Sequence, residues 1–116
     1  MDYLQEKEML SEEFCVSKEA LCALGSKTRQ HIILSMIRSE LCCDGMRVDD
    51  IEEAANLSRS SVSHHLQILR AAGILDVRHE GKKNYYYFNE NTETLEQLIQ
   101  MLSHAKELLI RSADQS

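Results

Sequence analysis

A mainly α chain with one small β-hairpin, five helices in the order α-α-α-α-β-β-α, is the fold class that this 116-residue sequence predicts. Three observations predict it. Residues 57–75, LSRSSVSHHLQILRAAGIL, open on Ser58 as an N-cap, repeat Val62, Leu66 and Leu69 at helical spacing, and stop at Gly73. Directly after, Ile74, Leu75 and Val77 begin one strand and Asn84-Tyr85-Tyr86-Tyr87-Phe88 forms a second, joined by a basic Gly-containing turn. The chain has no proline, no repeat and no low-complexity tract, so one domain spans 1–116. A polar-faced helix followed at once by a cationic hairpin is the pattern of a winged helix-turn-helix.

The elements follow in order. Residues 1–10 are acidic and expected to fray, and 11–25 form a first helix richer in apolar residues than a small core needs, hence a dimerisation helix. Ser26 caps a second helix in which Ile32, Ile33, Met36 and Ile37 face the core. Residues 39–47 connect through an Asp44-Gly45 turn. The helix-turn-helix spans 48–73: a short helix with Val48, Ile51 and Ala55 inward, a turn at Asn56-Leu57-Ser58, and the second helix. The wing covers 74–89. A last helix over 92–111, capped by Asn91 or Thr92, carries Leu95, Leu98, Ile99, Leu102, Leu108 and Leu109, a stripe broad enough for both core and partner, and 112–116 are a loose tail.

The net charge of −6 argues mildly against a nucleic-acid partner until its distribution is inspected. From Asn56 to Phe88, Arg59, Arg70, Arg78, Lys82 and Lys83 stand against Asp76 and Glu80, a net +3, whereas residues 1–25 sum to −4. The positive field thus lies on the helix-turn-helix and wing. No apolar run is long enough to cross a bilayer and the N-terminus is not a signal peptide, so the expectation is a cytoplasmic protein without membrane attachment and with mostly reduced cysteines.

Away from the apolar stripe, the second helix of the motif presents Arg59, Ser60, Ser61, Ser63, His64 and Gln67, short donors and acceptors crowded into its N-terminal half. That composition suits base edges in the major groove of double-stranded DNA, with Arg59 forking onto guanine or phosphate and Gln67 reaching adenine. His65 lies nearer the apolar side and reads as packed or backbone-bonded. In the wing, Lys82 and Lys83 suit phosphates, with Arg78 or His79 assisting. Tyr86 and Phe88 point one way and Tyr85 and Tyr87 the other, so one pair covers the helices; a base-stacking platform is the competing interpretation. Ser63 and His64 are no catalytic pair, because adjacent helical residues diverge by about 100° and no acid orients the imidazole.

Leu24-Gly25-Ser26-Lys27-Thr28-Arg29, the segment from Asp50-Ile51 through Ser63-His64-His65-Leu66, Ala72-Gly73-Ile74 and Glu80-Gly81-Lys82-Lys83-Asn84-Tyr85-Tyr86-Tyr87 resemble the ArsR/SmtB-type winged-helix repressors, in the family's order over about residues 20–110. The resemblance implies a homodimeric DNA-binding repressor on an inverted-repeat operator, released by a small effector it does not identify. Arsenic sensors of the family carry Cys-x-Cys at the start of the third helix; here Arg47-Val48-Asp49 stands there, so that site is absent as such. Cys42 and Cys43 lie just upstream, while Cys15 and Cys22 share one face of the first helix. Because the first and third helices are close in the family's fold, the four thiols could gather as a redox or thiophilic-metal sensor; the plainer reading is small buried hydrophobes plus a loop thiol. The family's zinc site, Asp-x-His with His-x-x-Glu on paired last helices across the dimer, is half matched by His104 and Glu107, with Asn91 and Glu93 at the other half, which lacks a nitrogen donor and a charge. Two alternatives stay open: a winged-helix protein-interaction module that does not bind DNA, and a variant whose main role is thiol or metal sensing.

Overall fold

The computed structural model describes residues 2–39 and 44–114. Its elements are α1 (Tyr3–Leu24), α2 (Lys27–Arg38), α3 (Val48–Ala55), α4 (Arg59–Ala71), β1 (Leu75–Glu80), β2 (Lys83–Phe88) and α5 (Glu93–Asp114), the predicted order of five helices around one antiparallel hairpin. The first and last helices both run further than expected, and residues 115–116 of the expected loose tail lie outside the described residues. The helix starts at Tyr3, not near residue 11, because Asp2 builds a reciprocal capping box: its Oδ1 accepts from the Gln5 N–H at 2.8 Å while the Gln5 Oε1 accepts from the Asp2 N–H at 3.1 Å. The far end of α5 runs three residues past 111, to Asp114, since the two helices hold each other there. The Tyr3 hydroxyl lies 2.9 Å from the Ser112 hydroxyl, and Arg111 pairs with Glu6 at 2.6 Å.

One core lies under the helix-turn-helix. Ile32 and Met36 of α2, Ile51 and Ala55 of α3, Val62, Leu66 and Leu69 of α4 and Leu75 of β1 are buried together, with Tyr86 and Phe88 of the hairpin packed against them. That places the pair Tyr86/Phe88 over the helices, as alternation along the strand requires. Ile37 departs from the expected inward face of α2: it is 56 % exposed, because Ile32 and Met36 already fill the contact. A second, smaller cluster of Ala20, Leu98 and Met101 joins α1 to α5.

The turns match their local chemistry. Asn56, at φ 56°, is the left-handed cap of α3, a conformation asparagine tolerates. α4 ends in a Schellman motif: Ile74 N–H donates to the Leu69 carbonyl and Gly73 N–H to the Arg70 carbonyl, both at 3.0 Å. The hairpin pairs Leu75 with Phe88 through Glu80 with Lys83, leaving Gly81-Lys82 as a two-residue loop whose glycine takes φ 62°. Met46 adds a short third pairing to the wing, exchanging bonds of 2.7 and 2.8 Å with Tyr86, so part of the expected connection is a strand-like strut.

Gly73 carries two constraints, a φ of 80° and the Thr94 hydroxyl, which occupies the space a Cβ would need. Gly73→Ala is therefore expected to cost about 2–4 kcal/mol, read as a lowered urea midpoint. Gly81→Ala, positive in φ but facing open space, should cost about 1 kcal/mol.

Candidate nucleic-acid interface

The interface starts from the sidedness of α4. Val62, Leu66 and Leu69 are wholly buried, so the helix cannot rotate without exposing them. Ser58 caps it, its hydroxyl accepting from the Ser61 N–H at 3.3 Å. The outward arc carries Arg59, Ser60, His64 and Gln67 exposed, with Ser61 and Ser63 half-buried at its margin. The six side chains expected on the reading face therefore share the N-terminal two-thirds of one helix, in two tiers of exposure.

Not every cation there is free. Arg59 pairs with Asp49 and reaches Glu52 at 3.5 Å, both on α3, clasping the two helices of the motif. Arg78 is a brace of the wing: its Nε donates to Glu80 at 2.8 Å, its Nη2 to the Asp44 carbonyl at 3.2 Å, and the guanidinium lies over the Tyr85 ring at 5.0 Å. His79 is bonded to Asn84. Lys82 and Lys83 stand exposed at the wing tip. They share with Arg47, Asp49, Arg59 and Asn84 a crevice of about 80 Å³ between the wing and the N-termini of α3 and α4. Arg47 was not expected on this surface; a cation one residue before a helix that opens on two acids was the available signal.

His65 is half-buried and packed as expected, but its partner is a side chain rather than backbone: Nδ1 lies 3.2 Å from the Arg29 guanidinium. Burial, then the neighbouring charges of Arg29 and His64, push its pKa below the ordinary imidazole value. It is thus a neutral ring whose Nδ1 accepts.

Among the described residues the sensing candidates stand apart within one chain. Cys15 and Cys22 are exposed rather than buried, and among the described residues α1 packs on α2, α4 and α5 but not on α3. Cys42 and Cys43 lie outside the described residues. Just before α5, Asn91 accepts from the Glu93 N–H at 3.0 Å, and both stand toward the N-terminus of that helix, away from His104 and Glu107 in the same chain. His104 points to α1 instead, its Nδ1 at 2.7 and 2.9 Å from the two Glu13 oxygens. Among the described residues, no three His, Cys, Asp or Glu side chains are grouped to hold a metal. One imidazole and scattered carboxylates do not fit zinc within a single chain. Nor is any helix among the described residues long and apolar enough to cross a membrane.

A buried-backed polar helix beside a lysine-tipped wing defines a winged helix-turn-helix regulator. Residues 26–77 match the model described as "Bacterial regulatory protein, arsR family". The chain is 34 % identical over 92 residues, 79 % of its length and 72 % of the relative's, to the "Putative arsenical resistance operon repressor ArsR2" of Halobacterium salinarum. It belongs to the ArsR family. Among solved structures, reduced HlyU from Vibrio cholerae superposes with TM-score 0.56 at 26 % identity, covering 82 % of this chain and 92 % of that one. The homodimeric winged helix-turn-helix DNA-binding domain Mb0332 from Mycobacterium bovis superposes with TM-score 0.54 at 25 % identity, covering 84 % and 83 %.

Two expectations follow from these contacts. Replacing Asp49 and Glu52 by Asn and Gln frees Arg59; affinity for duplex DNA of any sequence should rise and the logarithmic salt slope steepen by about 1, measured by anisotropy across a salt series. The unfolding midpoint should hardly move, exposed ion pairs contributing about 0–1 kcal/mol. The hydrogen bond that His104 donates to Glu13, then the charges of Glu13, Glu107 and Glu6, raise the His104 pKa above its ordinary 6.5 despite some burial. The bond's stabilisation is then fully present below the unfolded value and lost as pH rises through the higher folded value. Melting temperatures of the parent and Glu13→Gln should differ most near pH 6 and converge above the folded pKa.

Proposed function

We propose that this protein is a transcriptional repressor that binds, as a homodimer, an imperfect inverted repeat in double-stranded DNA. The observation that carries the reading is the coincidence on one surface of the exposed polar arc of α4 and the wing lysines, around the crevice they share with Arg47. The helix enters the major groove and reads base edges through Ser63, His64 and Gln67, while Lys82, Lys83 and Arg47 neutralise phosphates. Arg59 exchanges Asp49 for a phosphate or a guanine edge. Ser60 and Ser61, at the helix start, meet the backbone beside the groove.

The dimer is supported by apolar surface that the single chain leaves uncovered. Leu4, Phe14 and Val16 of α1 and Ile99, Leu102 and Leu109 of α5 are exposed, Leu109 at 71 %, on the two 22-residue helices that run side by side. On α5 the exposed Leu95, Ile99, Leu102 and Leu109 recur at helical spacing, and soluble monomers rarely leave such an apolar stripe in water. A two-fold axis through these helices sets the two copies of α4 to address half-sites one DNA turn, or a multiple, apart. The protein acts in the cytoplasm, where DNA is reached, and an effector loosens the complex. Zinc, arsenite and a mild oxidant are the probes that sort a metal or thiol signal from another kind.

Fluorescence anisotropy with reduced protein and the DNA upstream of its own gene tests this. Tight, salt-sensitive binding is expected. Lys82→Ala and Lys83→Ala should weaken all sequences alike and reduce the salt slope by about 1 each. Ser63→Ala and His64→Ala should alter base preference by about 1–3 kcal/mol at the contacted position. Binding that ignores all four substitutions would instead mark a protein-interaction module.

A further inference from the structure

Arg29 joins three helices through one planar group. From the first turn of α2 its Nε donates to the Ala23 carbonyl at 2.8 Å and its Nη2 to the Cys22 carbonyl at 3.0 Å, while Nη1 lies 3.2 Å from His65 Nδ1 in the middle of α4. The last turn of α1 carries no basic residue of its own. The guanidinium therefore supplies both the positive charge and the donors that the terminal carbonyls of that helix lack. The neutral His65 ring completes the fork as an acceptor, so the contact to α4 is a directional hydrogen bond rather than a charge pair.

The two helices joined in this way do different work. α1 packs along α5, whose exposed apolar stripe is the proposed dimer contact, and α4 carries the polar arc proposed to meet DNA. From this geometry we infer that Arg29 is a positioning residue that couples the seating of the dimer to the pitch of the reading helix. Through its fixed fork, a rotation of the α1 end moves His65, and with it the adjacent buried Leu66 and the exposed His64. The distance and angle between the two reading helices then follow how α1 sits on its partner. A lysine cannot do this, because one ammonium nitrogen has no plane to hold two carbonyls and an imidazole at once. The inference rests on the proposed dimeric, operator-binding reading.

The test holds two half-sites constant and varies their centre-to-centre spacing in single base-pair steps, with an isolated half-site as reference. The proteins compared are the parent, Arg29→Lys, His65→Ala and His65→Asn, the last keeping an acceptor near the Nδ1 position. The parent should lose about tenfold in affinity, the worth of one charge-assisted hydrogen bond, for a one-step change from its optimum. Arg29→Lys and His65→Ala should cut that discrimination to about twofold while leaving half-site affinity and the dimer dissociation constant in place. His65→Asn should restore it. In Arg29→Gln, the His65 ring titration followed by NMR should move up, since one of the two neighbouring charges that depress it is gone. His64, on the same helix, is the other charge facing the ring. If the variants keep the parent's discrimination, or lose affinity equally at every spacing in step with a lowered melting temperature, Arg29 is a structural clasp and the inference is wrong. An unmoved His65 titration also overturns it. A parent that binds inverted repeats without any spacing preference overturns the inference alone, whereas a parent that binds no inverted repeat removes the proposed function as well.

Discussion

The burial of Val62, Leu66 and Leu69 is the constraint from which the rest of the structure takes its orientation. Each of these side chains is removed from water completely, worth about 1.5–3 kcal/mol apiece, and together they lock the rotation of α4. Once that face is committed to the core, the polar positions between them have no choice but the surface. The same core is closed from the hairpin side by Tyr86 and Phe88, so the wing is held beside the reading helix by the residues that seat the helix itself. Fold and interface thus share one hydrophobic cause.

Charge is distributed on the molecule by pairing as much as by position. Three of the arginines on the reading surface are paired within the protein, Arg47 and Arg59 with α3 and Arg78 with the wing, whereas the lysines at the wing tip keep their charge for a partner. Guanidinium, with its planar donors, suits internal clasps, and an ammonium on a flexible stem suits phosphates met in varied geometry. An acidic chain can therefore meet DNA through a local field of the opposite sign.

The long helices α1 and α5 combine a polar seam with an apolar exterior. Glu6 with Arg111 and Glu13 with His104 run along their contact, and Ala20, Leu98 and Met101 fill its lower part. Specific polar pairs fix the register of two helices that hydrophobic contact alone would let slide. Ile99, Leu102 and Leu109, at helical spacing on α5, are then left exposed along one side of that helix.

The sequence by itself determined the order of elements, the buried face of α4, the caps at Ser26 and Ser58 and the sign of the charge on the reading surface. Each of these is a local property, written in spacing of 3.6 or 2 residues or in turn chemistry, and needs no partner from elsewhere in the chain. Tertiary structure alone decided how far α5 runs along α1, that Ile37 stays in water, that Arg59 and Arg78 are engaged internally, and that Arg29 reaches both α1 and His65. It also separated Cys15 and Cys22 from α3 and turned His104 toward Glu13. These depend on pairs up to 109 residues apart, as between Tyr3 and Ser112, and such contacts exist only after the chain has been brought together. A side chain's spacing tells which way it faces, but only packing tells what it meets there.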